Sequence, residues 1–199
     1  MPLQNRVMPW GEIVADPGRG LFTGNRGCLH DAQMRLGKAR WKGKAWIICE
    51  LQWKGWQRQV MSPGSWTELF FLDEAVALAA GHRPCALCRR TAYSAYRAAW
   101  GGNPKAPEMD AALHAARLGP VQSCPANALP AGAFFRQDGR AWLVGPGGRQ
   151  GFSPQGYGPV MPLGESVVEV LTPSPSLQVL AAGYRPVLHP SADLVRQAK

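Results

Sequence analysis

The sequence lacks any apolar run that approaches the roughly 20 residues needed to cross a bilayer. We also expect no secretory signal, because residues 1–10 contain no apolar core and no small-residue cleavage site. Its five cysteines are an odd number and, with no export signal, argue against a disulfide framework. We therefore expect a cytoplasmic protein whose thiols bind a metal or lie in the core.

Acidic residues are also few, since 13 Asp and Glu stand against 22 Lys and Arg, a net charge of +9. Residues 1–100 hold 14 of the basic residues and seven of the eight tryptophans. Cations beside tryptophans suit a phosphate backbone with unstacked bases, although a solvated basic face over a Trp-rich core fits the charge equally well. The predicted nucleic-acid contacts are Lys38, Arg40, Trp41, Lys42, Lys44, Trp53, Lys54, Trp56, Arg58, Arg89 and Arg90.

The chain is long enough, and at 46% hydrophobic residues apolar enough, to bury a core without disulfides. Its composition becomes rich in Gly and Pro after residue 118. We predict an α+β protein with a basic, Trp-rich lobe at 1–118, which holds the candidate metal ligands, and a small α+β lobe, a β-hairpin plus a helix, at 119–199. Within the first lobe, apolar and polar residues alternate over 39–61, which predicts an antiparallel meander of three strands.

Sequence signals for helix ends and turns occur along the rest of the chain. Asp73 is a predicted N-cap, and Gly81 ends the helix that follows it. Pro84 is expected to begin a second helix with Cys85 and Cys88 in its first turn. Further predicted elements are a helix at about 107–118, a hairpin turning at Asp138-Gly139, a strand at 166–171 and a helix from Pro173 to Gly183.

The pattern Ala-Ala-Gly-x-Arg-Pro occurs twice, at 79–84 and at 181–186. A cysteine pair follows the first copy, whereas Val187 and Leu188 follow the second. We interpret the shared letters as a helix stop with a rigid exit. Any function of the first copy must therefore depend on its cysteines.

Cys85 and Cys88 have the spacing at which two thiolates share one tetrahedral zinc ion. A redox pair is the weaker interpretation, because the βαβ pattern of thioredoxin-like proteins is absent. The other ligands should precede the meander, since the order loop, hairpin and helix is similar to a treble clef. Cys28 and His30 occupy that loop and are the predicted ligands. Cys49 is the rival to His30, but its place on an apolar strand face favours a buried, inert thiol.

Paired phenylalanines at Phe70-Phe71, followed by the run Ala-Gly-His-Arg-Pro-Cys-Ala-Leu-Cys-Arg at 80–89, resemble the zinc-binding domain of bacterial Ada DNA-repair proteins. The resemblance, taken over about 22–90, implies a zinc site that accepts a methyl group from a DNA phosphotriester on its first cysteine, here Cys28. Cys85 and Cys88 would be its third and fourth ligands. The family's second cysteine is replaced by Ala32, and His30 would substitute for it. The chain lacks the helix-turn-helix pair and the Pro-Cys-His-Arg acceptor motif of whole Ada proteins.

Our leading hypothesis is a zinc-containing nucleic-acid-binding protein of DNA repair or processing, with DNA favoured over RNA. One alternative is a metal-dependent nuclease or other hydrolase that uses His30 and Asp31, with Glu50, Glu68 or Asp73 as further metal or base candidates. Another is a protein-binding scaffold in which the tryptophans form the partner surface. Whether the protein is an enzyme is left open by the sequence.

Overall fold

The structure is a computed structural model that describes residues 1–55 and 59–192. Within these residues the protein is a mixed α+β fold with two six-stranded sheets and four α-helices. The first sheet is built before residue 85 and the second after residue 121. No helix in the described ranges is long and apolar enough to span a membrane.

The first sheet has the strand order β2-β1-β5-β3-β4-β6. Its neighbours are antiparallel except for β1 with β5 and β4 with β6, which are parallel. The short strand β6 is therefore an edge strand, a position that accommodates Pro84 because proline has no N–H to donate. The strands are β1 Gln4–Val7, β2 Ile13–Ala15, β3 Phe22–Asn25, β4 Ile47–Glu50, β5 Leu69–Phe71 and β6 Arg83–Pro84.

The second sheet is antiparallel throughout its described pairs, in the order β11-β10-β9-β8-β12-β7. The predicted hairpin is confirmed as β8 and β9. Asp138 and Gly139 take φ of +52° and +71°, the left-handed conformation of a tight hairpin turn. The strands are β7 Gln122–Pro125, β8 Phe134–Gln137, β9 Arg140–Gly145, β10 Gly148–Ser153, β11 Gly156–Met161 and β12 Val167–Val170.

The helices are α1 Glu74–Ala79, α2 Arg90–Trp100, α3 Ala106–Leu118 and α4 Ser174–Ala181. The predicted cap of α1 is confirmed, because Asp73 Oδ1 accepts a hydrogen bond from Val76 N at 2.9 Å. The prediction of a helix from Pro84 is wrong at its start. Residues 85–89 form a separate turn, closed by Arg89 N donating to Cys85 O at 3.2 Å, and α2 begins only after it.

The repeated sequence pattern ends α1 and α4 with the same hydrogen bonds. His82 N donates to Ala77 O at 2.9 Å after the first helix, and Tyr184 N donates to Val179 O at 3.1 Å after the second. Gly81 and Gly183 have φ of +82° and +102°, the left-handed conformation that this helix ending requires. The interpretation of the repeat as a helix stop is thus confirmed.

The predicted meander over 39–61 differs from the structure. In its described part, β4 is the one strand present, and both of its partners, β3 and β6, lie outside residues 39–61. The alternating pattern reflects a strand with non-local partners on both sides. This choice of partners matters for the candidate site, because it brings residues 83–85 alongside residues 47–49.

The main core contains side chains from both halves of the chain. Phe71 and Tyr96 of the first half belong to the same buried cluster as Phe135 and Val179 of the second. A smaller cluster joins Val76 of α1 to the second sheet. The two sheets are therefore connected through shared apolar packing around α1 and α2.

Candidate metal centre

The parallel pairing of β4 and β6 places Cys49 beside Cys85. Ile48 lies opposite Pro84, and Cys85 N donates to Ile48 O at 2.9 Å. The turn of residues 85–89 then brings Cys88 back toward the same point. The Sγ atoms of Cys49, Cys85 and Cys88 all lie within 4.8 Å of one another, close enough to bind one metal ion.

Hydrogen bonds within this group, which we call the cysteine triad, favour the thiolate form of two of its members, Cys85 and Cys88. The Cys49 thiol and the backbone N–H groups of Cys88 and Leu87 lower the pKa of Cys85 to about 5, against the effect of burial. The Cys49 thiol also lowers the pKa of Cys88, with help from Glu50 N–H. The pKa of Cys49 is correspondingly raised, because its proton is shared with the other two sulfurs. A thiophilic cation would replace that shared proton.

The guanidinium of Arg89 lies next to the triad and is held by two carboxylates. It donates to Glu74 Oε1 at 2.6 Å and Oε2 at 3.1 Å, and to Glu50 Oε1 at 3.0 Å. Its Cζ lies 4.1 Å from the centroid of the Phe22 ring. Glu50 directly follows Cys49 in the chain, but its carboxylate binds Arg89 and is not part of the cysteine triad.

The structure does not bring the predicted ligands Cys28 and His30 into the triad. Cys28 Sγ lies 3.8 Å from His30 O. His30 Nδ1 is 2.6 Å from Thr67 Oγ1, and its Nε2 is 3.2 Å from Ser62 O, so both ring nitrogens have protein partners. His30 thus joins the loop before β4 to the loop before β5, and Cys49 takes the place beside Cys85 and Cys88 that we had favoured for His30.

The carboxylates of the nuclease hypothesis are likewise engaged elsewhere. Asp31 forms an exposed ion pair with Arg35 at 3.0 Å, Glu68 accepts a hydrogen bond from Met61 N at 2.6 Å, and Asp73 caps α1. In residues 1–55 and 59–192, the cysteine triad is the one group of three or more Cys, His, Asp or Glu with metal-site spacing.

The predicted nucleic-acid contacts fall into three groups. Residues 38–44 are exposed on one segment before β4, and Trp41 keeps 40% of its surface accessible. Lys54 is exposed over the half-buried Trp53, with Nζ 5.0 Å from the ring centroid, and Arg90 is exposed at the start of α2. Arg89 is buried in its ion pairs, whereas Trp56 and Arg58 lie outside the described residues.

Cys49 is the site residue that sequence reasoning assigned to another role. Its strand pattern placed Cys49 on an apolar face with Ile47 and Leu51, but the structure buries the opposite face: Ile48 is fully buried, whereas Cys49 is half-buried and Leu51 is 48% exposed. The one sequence signal for Cys49 as a ligand was a cysteine near the end of a strand, in a chain that also contains a Cys-x-x-Cys turn. That signal identifies a ligand only once the parallel pairing with β6 is known.

Comparisons of the chain with protein-family models, with curated proteins and with solved structures find no match. The resemblance to the Ada zinc domain therefore stays a prediction that depends on the motif at 70–89. What the structure shows is the cluster of three thiols.

Proposed function

We propose that this is a zinc-containing protein that binds nucleic acid, with DNA favoured over RNA by the Ada resemblance. The cysteine triad carries the first half of this proposal. Thiolates select zinc over harder divalent cations, and three of them fill three of the four positions of a tetrahedral ion. The ion would fasten the end of β4 to the turn before α2, so its binding free energy would add to folding.

The segment of residues 38–44 supports the nucleic-acid half of the proposal. Lys38, Arg40, Lys42 and Lys44 are exposed and form no ion pair within the described part of the chain. Trp41 stands among these cations with its ring partly free. Unpaired cations beside an exposed aromatic ring are what a single strand contacts through its phosphates and bases.

Methyl transfer of the Ada kind is not part of this proposal. That chemistry requires the acceptor cysteine to be a zinc ligand, which activates its sulfur. Cys28 is the acceptor that the resemblance implies, and its Sγ faces the His30 carbonyl instead of the triad. The zinc is therefore assigned a structural role.

The metal assignment is tested by zinc stoichiometry of purified protein and of single variants. We expect about one zinc per chain in the wild type, loss of zinc in Cys49→Ser and Cys85→Ser, and retention in the matched controls Cys28→Ser and Cys124→Ser. A wild type that binds no zinc, or zinc that is lost in Cys28→Ser and kept in Cys49→Ser, would contradict the assignment.

The nucleic-acid assignment is tested by fluorescence anisotropy with labelled single-stranded and duplex oligonucleotides at increasing salt. Affinity should fall steeply with salt, and Lys42→Gln and Lys44→Gln should each reduce the slope of log K against log salt by about 1. Trp41→Ala should weaken single-strand binding by about 1–3 kcal/mol. The control is Arg140→Gln, an exposed cation of the second sheet. Binding that is insensitive to salt and to these changes would favour a protein-binding scaffold.

A further inference from the structure

Trp46 lies between two arginines on the side of β4 away from the cysteine triad. Arg26 Cζ is 4.0 Å from its ring centroid and Arg117 Cζ is 3.8 Å from it. Trp46 is itself buried, and its Nε1 donates to Gly43 O at 2.9 Å. One aromatic ring thus holds two positive charges close together.

Arg26 is 2% exposed and has no carboxylate partner in the described ranges. Its Nε donates to His82 Nε2 at 3.2 Å and its Nη1 donates to Gly11 O at 2.9 Å, while Nη2 has no hydrogen-bond partner there. Burial and the neighbouring Arg117 lower its pKa to about 9. A buried cation without a counter-charge is costly, so such groups commonly serve a binding site.

Arg117 is also paired with neutral groups instead of a carboxylate. Its Nη1 donates to Gly81 O, and its Nη2 donates to Lys44 O at 3.1 Å. Asp110 is the nearby carboxylate that acts on its charge, but both Asp110 oxygens accept hydrogen bonds from Arg83, at 2.7 and 2.9 Å. Arg26 and Arg117 therefore supply two positive charges that no carboxylate in the described residues neutralises directly.

Both arginines line a cleft of about 760 Å³ between the first sheet, α3 and the second sheet. Its two carboxylates already have donors, because Glu169 pairs with Arg136 at 3.1 Å and Glu12 accepts from Trp10 Nε1 at 2.9 Å. Trp41 lies in its wall and contacts Trp46, with ring centroids 5.9 Å apart. The four arginines that line the cleft are Arg26, Arg40, Arg117 and Arg136.

We propose that this cleft binds a phosphomonoester whose phosphate lies against Arg117 and Arg40 and whose planar group lies on Trp41. A phosphomonoester is close to a dianion at neutral pH, so it would balance the charges of Arg26 and Arg117 together. The volume suits a ligand of nucleotide size, since small-molecule sites measure about 300–1,000 Å³. The phosphate can belong to a free mononucleotide or to the phosphorylated end of an oligonucleotide, and only the second source depends on the nucleic-acid function proposed above.

The test is calorimetric titration of the zinc-loaded protein with inorganic phosphate, adenosine monophosphate and adenosine, at fixed ionic strength set by chloride. We expect binding of phosphate, tighter binding of the nucleotide and none of the nucleoside. Arg117→Gln should weaken nucleotide binding by about tenfold or more, because a charge-assisted hydrogen bond is lost. Arg40→Gln should weaken it while leaving the fold intact, since Arg40 is exposed. Arg140→Gln is the control that leaves affinity unchanged.

Two further measurements distinguish a free mononucleotide from a phosphorylated strand end as the ligand, and the cleft proposal from the nucleic-acid proposal. A 5′-phosphorylated oligonucleotide that competes with the nucleotide, where its unphosphorylated form does not, would identify a strand end as a ligand. Lys42 does not line the cleft, so Lys42→Gln should weaken oligonucleotide binding but not nucleotide binding. Nucleotide binding without any oligonucleotide binding would refute the nucleic-acid proposal and keep this one. The cleft proposal is overturned if phosphate and nucleotide bind no better than chloride, or if Arg117→Gln and Arg40→Gln bind the nucleotide as the wild type does.

Discussion

Replacing Arg89 by methionine should destabilise the protein strongly, because it leaves a buried carboxylate without its cation. The side chain of Arg89 is 4% exposed and that of Glu74 is 1% exposed, and two hydrogen bonds of 2.6 and 3.1 Å join them. Breaking one partner of such a pair costs about 3–5 kcal/mol. For a chain of this size the loss corresponds to a decrease in Tm of roughly 6–20 °C.

The assay is urea denaturation of the purified protein, with Arg90→Met as the matched control. Arg90 is the exposed neighbour of Arg89, so its replacement should change the free energy of unfolding by no more than about 0.5 kcal/mol. The double variant Arg89→Met/Glu74→Gln should lose less than the sum of the single variants, by about 1–3 kcal/mol, because the two residues are in contact. The reasoning would be refuted if Arg89→Met lowered the free energy of unfolding by less than about 1 kcal/mol, or if the effects of the two single variants were strictly additive. Arg89 would then be available for the nucleic-acid contact that the sequence predicted.

Two further predictions concern the helix stop of α1. Burial and the charges of Arg26 and Arg117 hold the pKa of His82 well below its usual 6.5. At His82 the unfolded chain therefore takes up a proton first as the pH falls, so this residue alone should lower the free energy of unfolding by up to about 1.4 kcal/mol for each pH unit below about 6.5. Buried Asp73, whose pKa burial raises to about 6, opposes this effect below about pH 6. His82→Gln should remove this slope in urea titrations at pH 7 and 5.5, and parallel curves would contradict it. Gly81→Ala should cost more stability in thermal denaturation than Gly183→Ala, whose own cost is about 1–2 kcal/mol for a left-handed residue. A Cβ at Gly81 would lie 2.4 Å from Arg117 Cδ, whereas no atom lies within 4 Å of a Cβ at Gly183. Equal losses of stability in the two variants would contradict the prediction and show that the Arg117 side chain moves aside at little cost.

Local signals predicted the parts of the fold that are local in origin. The cap at Asp73, the stop at Gly81 and the turn at Asp138-Gly139 each depend on residues within a few positions of one another. Their backbone conformations follow from side-chain size and hydrogen-bonding capacity alone. These features were recoverable from the sequence for that reason.

The cysteine triad could be predicted only in part, because one of its members is distant in sequence from the other two. The spacing of Cys85 and Cys88 is a local property, and the structure keeps the two together. Cys49 joins them through a parallel strand pair, and alternation of apolar residues gives no information on which strand lies alongside. The same limit applies to Arg89. The sequence predicted a nucleic-acid contact there, because the ion pair with Glu74 depends on how the chain folds.

Glu74 depends on parts of the chain that are made long after it. Its Oε1 accepts a hydrogen bond from Tyr184 Oη at 2.6 Å. Its Oε2 accepts one from Val187 N at 2.9 Å, although residues 74 and 187 are 113 positions apart. Asp73 is completed similarly by His189 N at 3.1 Å. During synthesis on the ribosome, the start of α1 therefore emerges before several of the donors to its two carboxylates have been translated. Those hydrogen bonds can be completed only after residues 184–189 have been synthesised.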